Sequence, residues 1–295
     1  MVNLSICITT LNACDYLQNC LRSIYDQSDY LQSTDGDSNI DSPPAAELVT
    51  AVNKLVFELI IVDNGSDDGT VEMLHREFPD IKLILNGKNN GFAKPMNQAM
   101  CAGLGDYFLI LNPDTIILPG ALNELVAYLV THPDVGICGP KVLNRDGSLQ
   151  KACRRGVSRP WAAFSYFSGL STLFPKSKFL GGYLLNYLDE NTIQAVDGVS
   201  GACMLIRRAV VEQVGYFDER FFAYQEDADL CFQAKKAGWK VQFIECKLSK
   251  YLDKKEKEKC EWIETNLHIP VFVGFQTKEG RKNKYLISQL KSCIL

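Results

Sequence analysis

The run Leu109-Ile110-Leu111-Asn112-Pro113-Asp114-Thr115 is the most informative stretch of this 295-residue chain. Apolar and aromatic positions continue from Tyr107 to Leu111, and an Asn, a Pro and an Asp then follow at once. A short unbroken apolar run ended by a turn signal reads as a fully buried strand. The carboxylate of Asp114 then falls just past the carboxyl end of a central strand, the edge at which open α/β sheets bind ligands. Pro113 restricts the backbone there. Asn112 and Asp114 offer hard oxygen ligands two residues apart, suited to Mg²⁺ or Mn²⁺ holding a diphosphate. Alone, Asn-Pro-Asp is also an ordinary β-turn, so its neighbours carry the decision.

Working outward, strands and helices alternate. Leu4 to Thr10 reads as a first strand, and Asn12 is placed to cap a helix whose face is marked by Leu17, Leu21, Ile24 and Tyr25. Residues 28 to 46 are rich in Ser, Asp, Asn, Gly and Pro and bury too little to offset their ordering entropy, so a mobile surface insertion is expected. Glu58 to Asp63 is a second strand, followed by the turn Asn64 to Thr70 and a helix through Phe78. Ile81 to Leu85 is a third strand, and Asn90-Gly-Phe-Ala opens a helix carrying Met96, Ala99 and Met100. Beyond Asp114, Leu122, Leu125, Val126 and Leu129 mark another helix, and Val135 to Val142 another strand. This alternation predicts an α/β fold, a doubly wound, Rossmann-like and mainly parallel central sheet flanked by helices.

The second half is less regular. Residues 151 to 190 mix Arg154, Arg155, Arg159, Lys176 and Lys178 with Trp161, Phe164, Tyr166, Phe167, Phe174 and Phe179. Such a mixture suits an ordinary subdomain with an aromatic core, or a surface that meets a lipid-linked or membrane-bound partner. Gly201 to Ile206 reads as a buried strand, and Glu226 to Ala237 as a helix stopped by Gly238.

Composition narrows the function. A net charge of −4 and the lack of a basic arm argue against nucleic acid as a partner. Eleven cysteines without a CxxC or a Cys/His cluster argue against a zinc site and fit a reducing, cytoplasmic compartment. The N-terminal residues lack the charged and apolar regions of a signal peptide, and no run reaches 18 apolar residues. Neither G-x-G-x-x-G nor G-x-x-x-x-G-K-[ST] occurs, which disfavours nicotinamide dehydrogenases and P-loop kinases. The turn after Asp63 fails the spacing of a calcium loop, with Gly65 third and Leu74 twelfth. Asp63 itself ends a strand, where an acid commonly meets a nucleotide's hydroxyls or base. Glu226, Asp227 and Asp229 begin a helix after an aromatic stretch, as N-terminal capping acids or as a general base.

Taken in order, these stretches resemble the family 2 inverting glycosyltransferases, in particular a rhamnosyltransferase-like branch that builds bacterial polysaccharides. The resemblance is carried by Ile8-Thr-Thr-Leu-Asn12, Val62-Asp-Asn-Gly-Ser-Asp-Asp-Gly-Thr70, Asn90-Gly-Phe-Ala93 with Asn97, Asn112-Pro-Asp-Thr115, Gly201 to Arg208 and Phe217 to Cys231. It implies one GT-A type domain over residues 1–246, with the polar insertion inside it, and a divergent tail over 247–295. It further implies that Thr10 and Asn12 lie beside the donor nucleotide and that Asp63 binds its base or ribose. Gly91, Asn97 and Asn112 would face the donor, and Asp114 would hold the Mg²⁺ or Mn²⁺. Asp227 would act as base with Glu226 beside it. The implied substrates are a nucleoside diphosphate sugar and a glycan or lipid-linked glycan acceptor, at the inner face of the cell membrane.

Two positions depart from the pattern. Gln233 stands where this branch usually has Arg. A His expected some twenty to twenty-five residues beyond the acidic pair is replaced by the Lys/Glu-rich run Lys247 to Lys259. His75 and His132 lie in the donor half and His268 far downstream. The rival expectation is therefore a catalytically impaired nucleotide-sugar binding protein of the same fold. A sugar-nucleotide pyrophosphorylase would need a Gly-rich phosphate loop after the first strand, and Thr9 to Ala13 provides none.

Overall fold

The computed structural model describes residues 2–33, 55–144, 148–156, 161, 164–165, 168–174, 177–179, 181–245 and 273–274. The elements are β1 (Val2–Thr10), α1 (Cys14–Ser33), β2 (Leu55–Asp63), α2 (Thr70–Glu77), β3 (Lys82–Leu85), α3 (Ala93–Ala102), β4 (Tyr107–Leu111), α4 (Ala121–Thr131) and β5 (Val135–Pro140). There follow β6 (Val142–Leu143), β7 (Arg154–Arg155), α5 (Leu170–Leu173), β8 (Gln194–Ala195), β9 (Gly198–Val199), β10 (Cys203–Arg207), α6 (Arg208–Val214), α7 (Glu226–Lys236), β11 (Lys240–Ile244) and β12 (Val273–Gly274).

Eight strands form one sheet in the order β3-β2-β1-β4-β10-β5-β11-β8. The first four are parallel, and their apolar runs are buried on both faces: Ile6 to Ile8, Ile60 to Val62 and Phe108 to Leu111 are fully enclosed. Helices supply the covering layers. Leu17, Leu21 and Ile24 of α1, Met96, Ala99 and Met100 of α3, and Leu122, Leu125, Val126 and Leu129 of α4 all lie in the core, as their helical spacing predicts. Tyr25 lies at the edge of that layer, stacked on Phe78 with ring centroids 5.7 Å apart.

The sheet is mainly parallel, as expected, although β10 is antiparallel to both β4 and β5, and β8 to β11. A fully buried apolar run reads the same in either direction, so its sequence carried no sign of this. Asn12 does not cap α1; the Cys14 amide donates instead to Asp68 Oδ2 at 3.0 Å, from the loop after β2. The insertion expected from residue 28 starts later, because α1 continues to Ser33. Residues 34–54, the end of that insertion included, lie outside the described residues, as does the tail except for β12, which pairs in parallel with β6.

Candidate active site

The sheet register collects the acids. Thr10 pairs with Asp63 across β1 and β2, and Ile8 pairs with Leu111 across β1 and β4, so these strands end along one edge. Asp114 follows three residues after Leu111. On the far side of β4, Cys203 pairs with Leu111, and the Asn112 amide donates to the Ala202 carbonyl at 3.0 Å. Gly201 therefore arrives at the same edge, and its amide donates to Asp227 Oδ2 at 3.0 Å. With neighbouring strands about 4.8 Å apart, β2 and β4 leave a span of roughly 10 Å between the places where Asp63 and Asp114 emerge.

The loops around this edge are tied to one another. Asn12, at φ 50°, donates its amide to Ser66 Oγ and accepts from the Asp67 amide, each at 2.9 Å, joining the loops after β1 and β2. Asp63 folds its own turn: Oδ2 accepts from the Gly65 and Ser66 amides and Oδ1 from the Ser66 hydroxyl. Asn64 Nδ2 donates to the Gly91 carbonyl at 2.8 Å. Phe92 donates its amide to the Phe222 carbonyl at 2.7 Å. Asn97 brackets the main chain of Phe217, its Nδ2 donating to the carbonyl at 2.8 Å and its Oδ1 accepting from the amide at 3.0 Å. The Gly91–Phe92 turn and Asn97 thus join the N-terminal half of the sheet to the segment leading into α7. In both cases the polar groups are engaged within the protein.

The three acids differ sharply in their surroundings. Asp227 forms an ion pair with Arg155 through Oδ2, and its Oδ1 accepts from the Ala228 amide at 2.7 Å. Glu226 beside it is buried, with Oε2 lacking any partner among the described residues. Burial, reinforced by the Asp227 charge, pushes its carboxyl up to about 7. Burial likewise pushes Asp114 up to about 6, and its Oδ1 also lacks a partner among the described residues. The hydroxyls of Thr9, Thr10 and Thr115 are unpartnered too. Among the described residues seven buried side-chain polar atoms lack a partner, and five of them belong to residues at this edge or at the start of α7. Native interiors satisfy nearly all such groups, so a cluster of orphans marks a place completed by something else.

Sequence reasoning missed Arg155, which approaches Asp227 from 72 residues away on β7. No local spacing points to such a pair. Of the two departures, Gln233 reaches back along α7 to Asp229 Oδ1 at 3.4 Å, while the Lys/Glu run and His268 lie outside the described residues. His75 and His132 are exposed at the far ends of α2 and α4. A separate polar cleft of about 470 Å³, lined among others by Gln150, Lys151 and Arg154, opens beside β7. Arg154 and Arg155 alternate along that strand, so the cleft lies on the side away from Asp227.

No His, Cys, Asp or Glu group of three assembles among the described residues. The donor set is the orphaned Asp114 oxygen and the nearby Asn112. That set fits a cation that brings its other ligands with it, as Mg²⁺ does when diphosphate oxygens and water complete its shell.

A mixed eight-stranded sheet with helices on its faces and orphaned acids along one edge defines an α/β protein of the GT-A type. The TarS structure from S. aureus with UDP-GlcNAc superposes on it with a TM-score of 0.51 at 18% identity, covering 83% of this chain and 56% of that one. The chain belongs to Glycosyl transferase family 2, whose pattern matches residues 5–215. It is 31% identical over 198 residues to an N-acetylglucosaminyl-diphospho-decaprenol L-rhamnosyltransferase of Mycobacterium tuberculosis, covering 63% of each chain. It is 28% identical over 185 residues to the low-salt glycan biosynthesis hexosyltransferase Agl10 of Haloferax volcanii, covering 61% of this chain and 54% of that one. The match thus spans under two thirds of either relative's length.

Proposed function

We propose that this protein transfers a sugar, rhamnose or another hexose, from a nucleoside diphosphate sugar to a hydroxyl of a glycan or lipid-linked glycan, inverting the anomeric configuration. The reading belongs to cell-surface polysaccharide synthesis. It rests above all on the oxygens of Asp114 and Glu226 left without a partner among the described residues, beside the sheet edge at which Thr10 and Asp63 end. Family membership and the rhamnosyltransferase relative support it.

In this reading the Thr10 hydroxyl and the Asn12–Asp67 clasp border the nucleotide. Asp63 reaches it once Ser66 turns its hydroxyl away. Asp114, with Asn112, would hold a Mg²⁺ or Mn²⁺ ion, which when bound neutralises charge on the leaving nucleoside diphosphate. Gly91 and Asn97 act by fixing the Phe217–Phe222 segment that closes the donor side. Asp227, oriented by Arg155 and the Gly201 amide, accepts the proton of the acceptor hydroxyl as its oxygen attacks the anomeric carbon from the face opposite the leaving group.

A second assignment of the base is favoured by one observation. Glu226 has an oxygen without a partner among the described residues and a carboxyl pushed up to about 7, near the pH at which a base works best, whereas Asp227 is engaged on both oxygens. Comparing Asp227→Asn with Glu226→Gln separates the two. If Asp227 is the base, its amide abolishes transfer, roughly 10³-fold or more, with donor binding by calorimetry nearly intact, and Glu226→Gln keeps part of the rate. The reverse ranking moves the base to Glu226. Loss of donor binding in Asp227→Asn would show that its role as base is misassigned.

A further inference from the structure

The segment between β7 and β8 has a surface that transfer chemistry does not use. Trp161 stacks on Phe164 with ring centroids 5.4 Å apart and packs at a tilt on Phe179 at 5.2 Å, yet the three rings remain 43%, 55% and 68% exposed. Leu173 and Phe174, a few residues before Phe179, are exposed as well. An aromatic cluster left in water is costly, and contiguous exposed apolar surface marks an interaction site.

Charge selects the partner. From residue 151 to 188 the sequence holds six basic residues and no acidic one, in a chain whose net charge is −4. Arg154 and Arg155 are buried inside the domain; Lys151 and Lys178 are exposed. A second copy meeting this surface about a two-fold axis would bring like charges together. An anionic lipid headgroup layer over an apolar interior matches both features, since aromatic rings favour the membrane interface and lysines the phosphate layer.

We propose that Trp161, Phe164 and Phe179, with the exposed Lys178 adjoining Phe179 in sequence, form the face by which this protein docks peripherally on an anionic lipid bilayer. Docking there would bring the acceptor half to a lipid-linked acceptor held in the same membrane. Only that purpose rests on the acceptor reading above; the lipid contact stands by itself. Among the described residues no helix is long and apolar enough to cross a membrane.

The test is co-sedimentation of the full chain with phosphatidylglycerol-rich vesicles, and with pure phosphatidylcholine vesicles, over increasing salt. The expected result is pelleting with the anionic vesicles at low salt and release as salt rises. Trp161→Ser combined with Phe164→Ser and Phe179→Ser should lower vesicle partition by about ten-fold or more. These side chains are exposed, so circular dichroism and elution volume should stay unchanged. Absence of pelleting, or undiminished pelleting of the triple variant, overturns the proposal. So does a concentration-dependent dimer in light scattering that the variant dissolves, which would make the surface a self-interface. Nucleotide binding is measured in parallel without vesicles, so loss of the transferase reading would be seen separately.

Discussion

Asp114 and Glu226 sit where the protein favours their protonated forms. Burial raises Asp114 from 3.8 to about 6, and burial with the Asp227 charge raises Glu226 from 4.5 to about 7. A carboxyl whose folded pKa exceeds its unfolded one gives stability that is complete below the unfolded value and lost as pH rises through the folded one. Between pH 4 and 8 the ligand-free protein therefore loses stability at these two positions. Asp114→Asn and Glu226→Gln should each raise stability near pH 8, on the order of 2 kcal/mol, and change little near pH 3.5, in urea titrations at both pH values. An unchanged midpoint at pH 8 would show that water or a residue outside the described set already compensates the charge. The same replacements should impair transfer, the exchange of stability for function expected where a site is completed by its ligand.

At the scale of elements, the decisive contact joins the start of α3 to the segment before α7. Gly91 has φ 83°, and a Cβ there would stand 2.1 Å from the Phe222 carbonyl oxygen, a backbone atom that cannot swing aside. Gly91→Ala should cost about 2–5 kcal/mol, through left-handed strain and forced separation of the two segments. It should also weaken donor binding, because the Phe92 ring, 3.6 Å from where a Cβ on Gly201 would stand, would lose its place at the sheet edge. Gly87→Ala is the control: nothing lies within 4 Å of its Cβ, and its effect should stay within about 0.5 kcal/mol. Denaturant melts of both variants check the contrast. Local pattern foretold the glycine and helix at this point but not their partner, because Phe222 is distant in sequence and β-strand or helix periodicity encodes a face, not what covers it. Asn12 shows the same limit: a good capping residue by type, it was drawn instead to the loop after β2, and Asp68 of that loop accepts from the Cys14 amide at the start of α1.

At the scale of the molecule, the proposed reading puts nucleotide and acceptor on one edge of the sheet, with Asp114, whose Oδ1 has no partner among the described residues, between them. Binding of a diphosphate and its cation requires Asp114 ionised, so it should strengthen as pH rises through about 6. Thermal shifts with UDP, GDP or dTDP and Mn²⁺ should be several degrees at pH 7.5, clearly smaller at pH 5, and should lose their Mn²⁺-dependent part in EDTA or in Asp114→Asn. A shift indifferent to Mn²⁺, or equal at both pH values, would remove Asp114 from the cation's reach.

The sequence by itself determined the buried strands, the helices that cover them, the family, and the positions of Asp63, Asp114, Glu226 and Asp227 at element ends, because hydrophobic period and turn chemistry are local properties. Tertiary structure alone decided the antiparallel insertion of β10, the Arg155–Asp227 ion pair, the Asn97 bracket on Phe217, and which acid oxygens stay without partners. Those outcomes depend on groups far apart in the chain meeting in a low-dielectric interior, where a paired charge, an unpaired one and a hydrogen-bonded amide differ in energy although their sequences look alike.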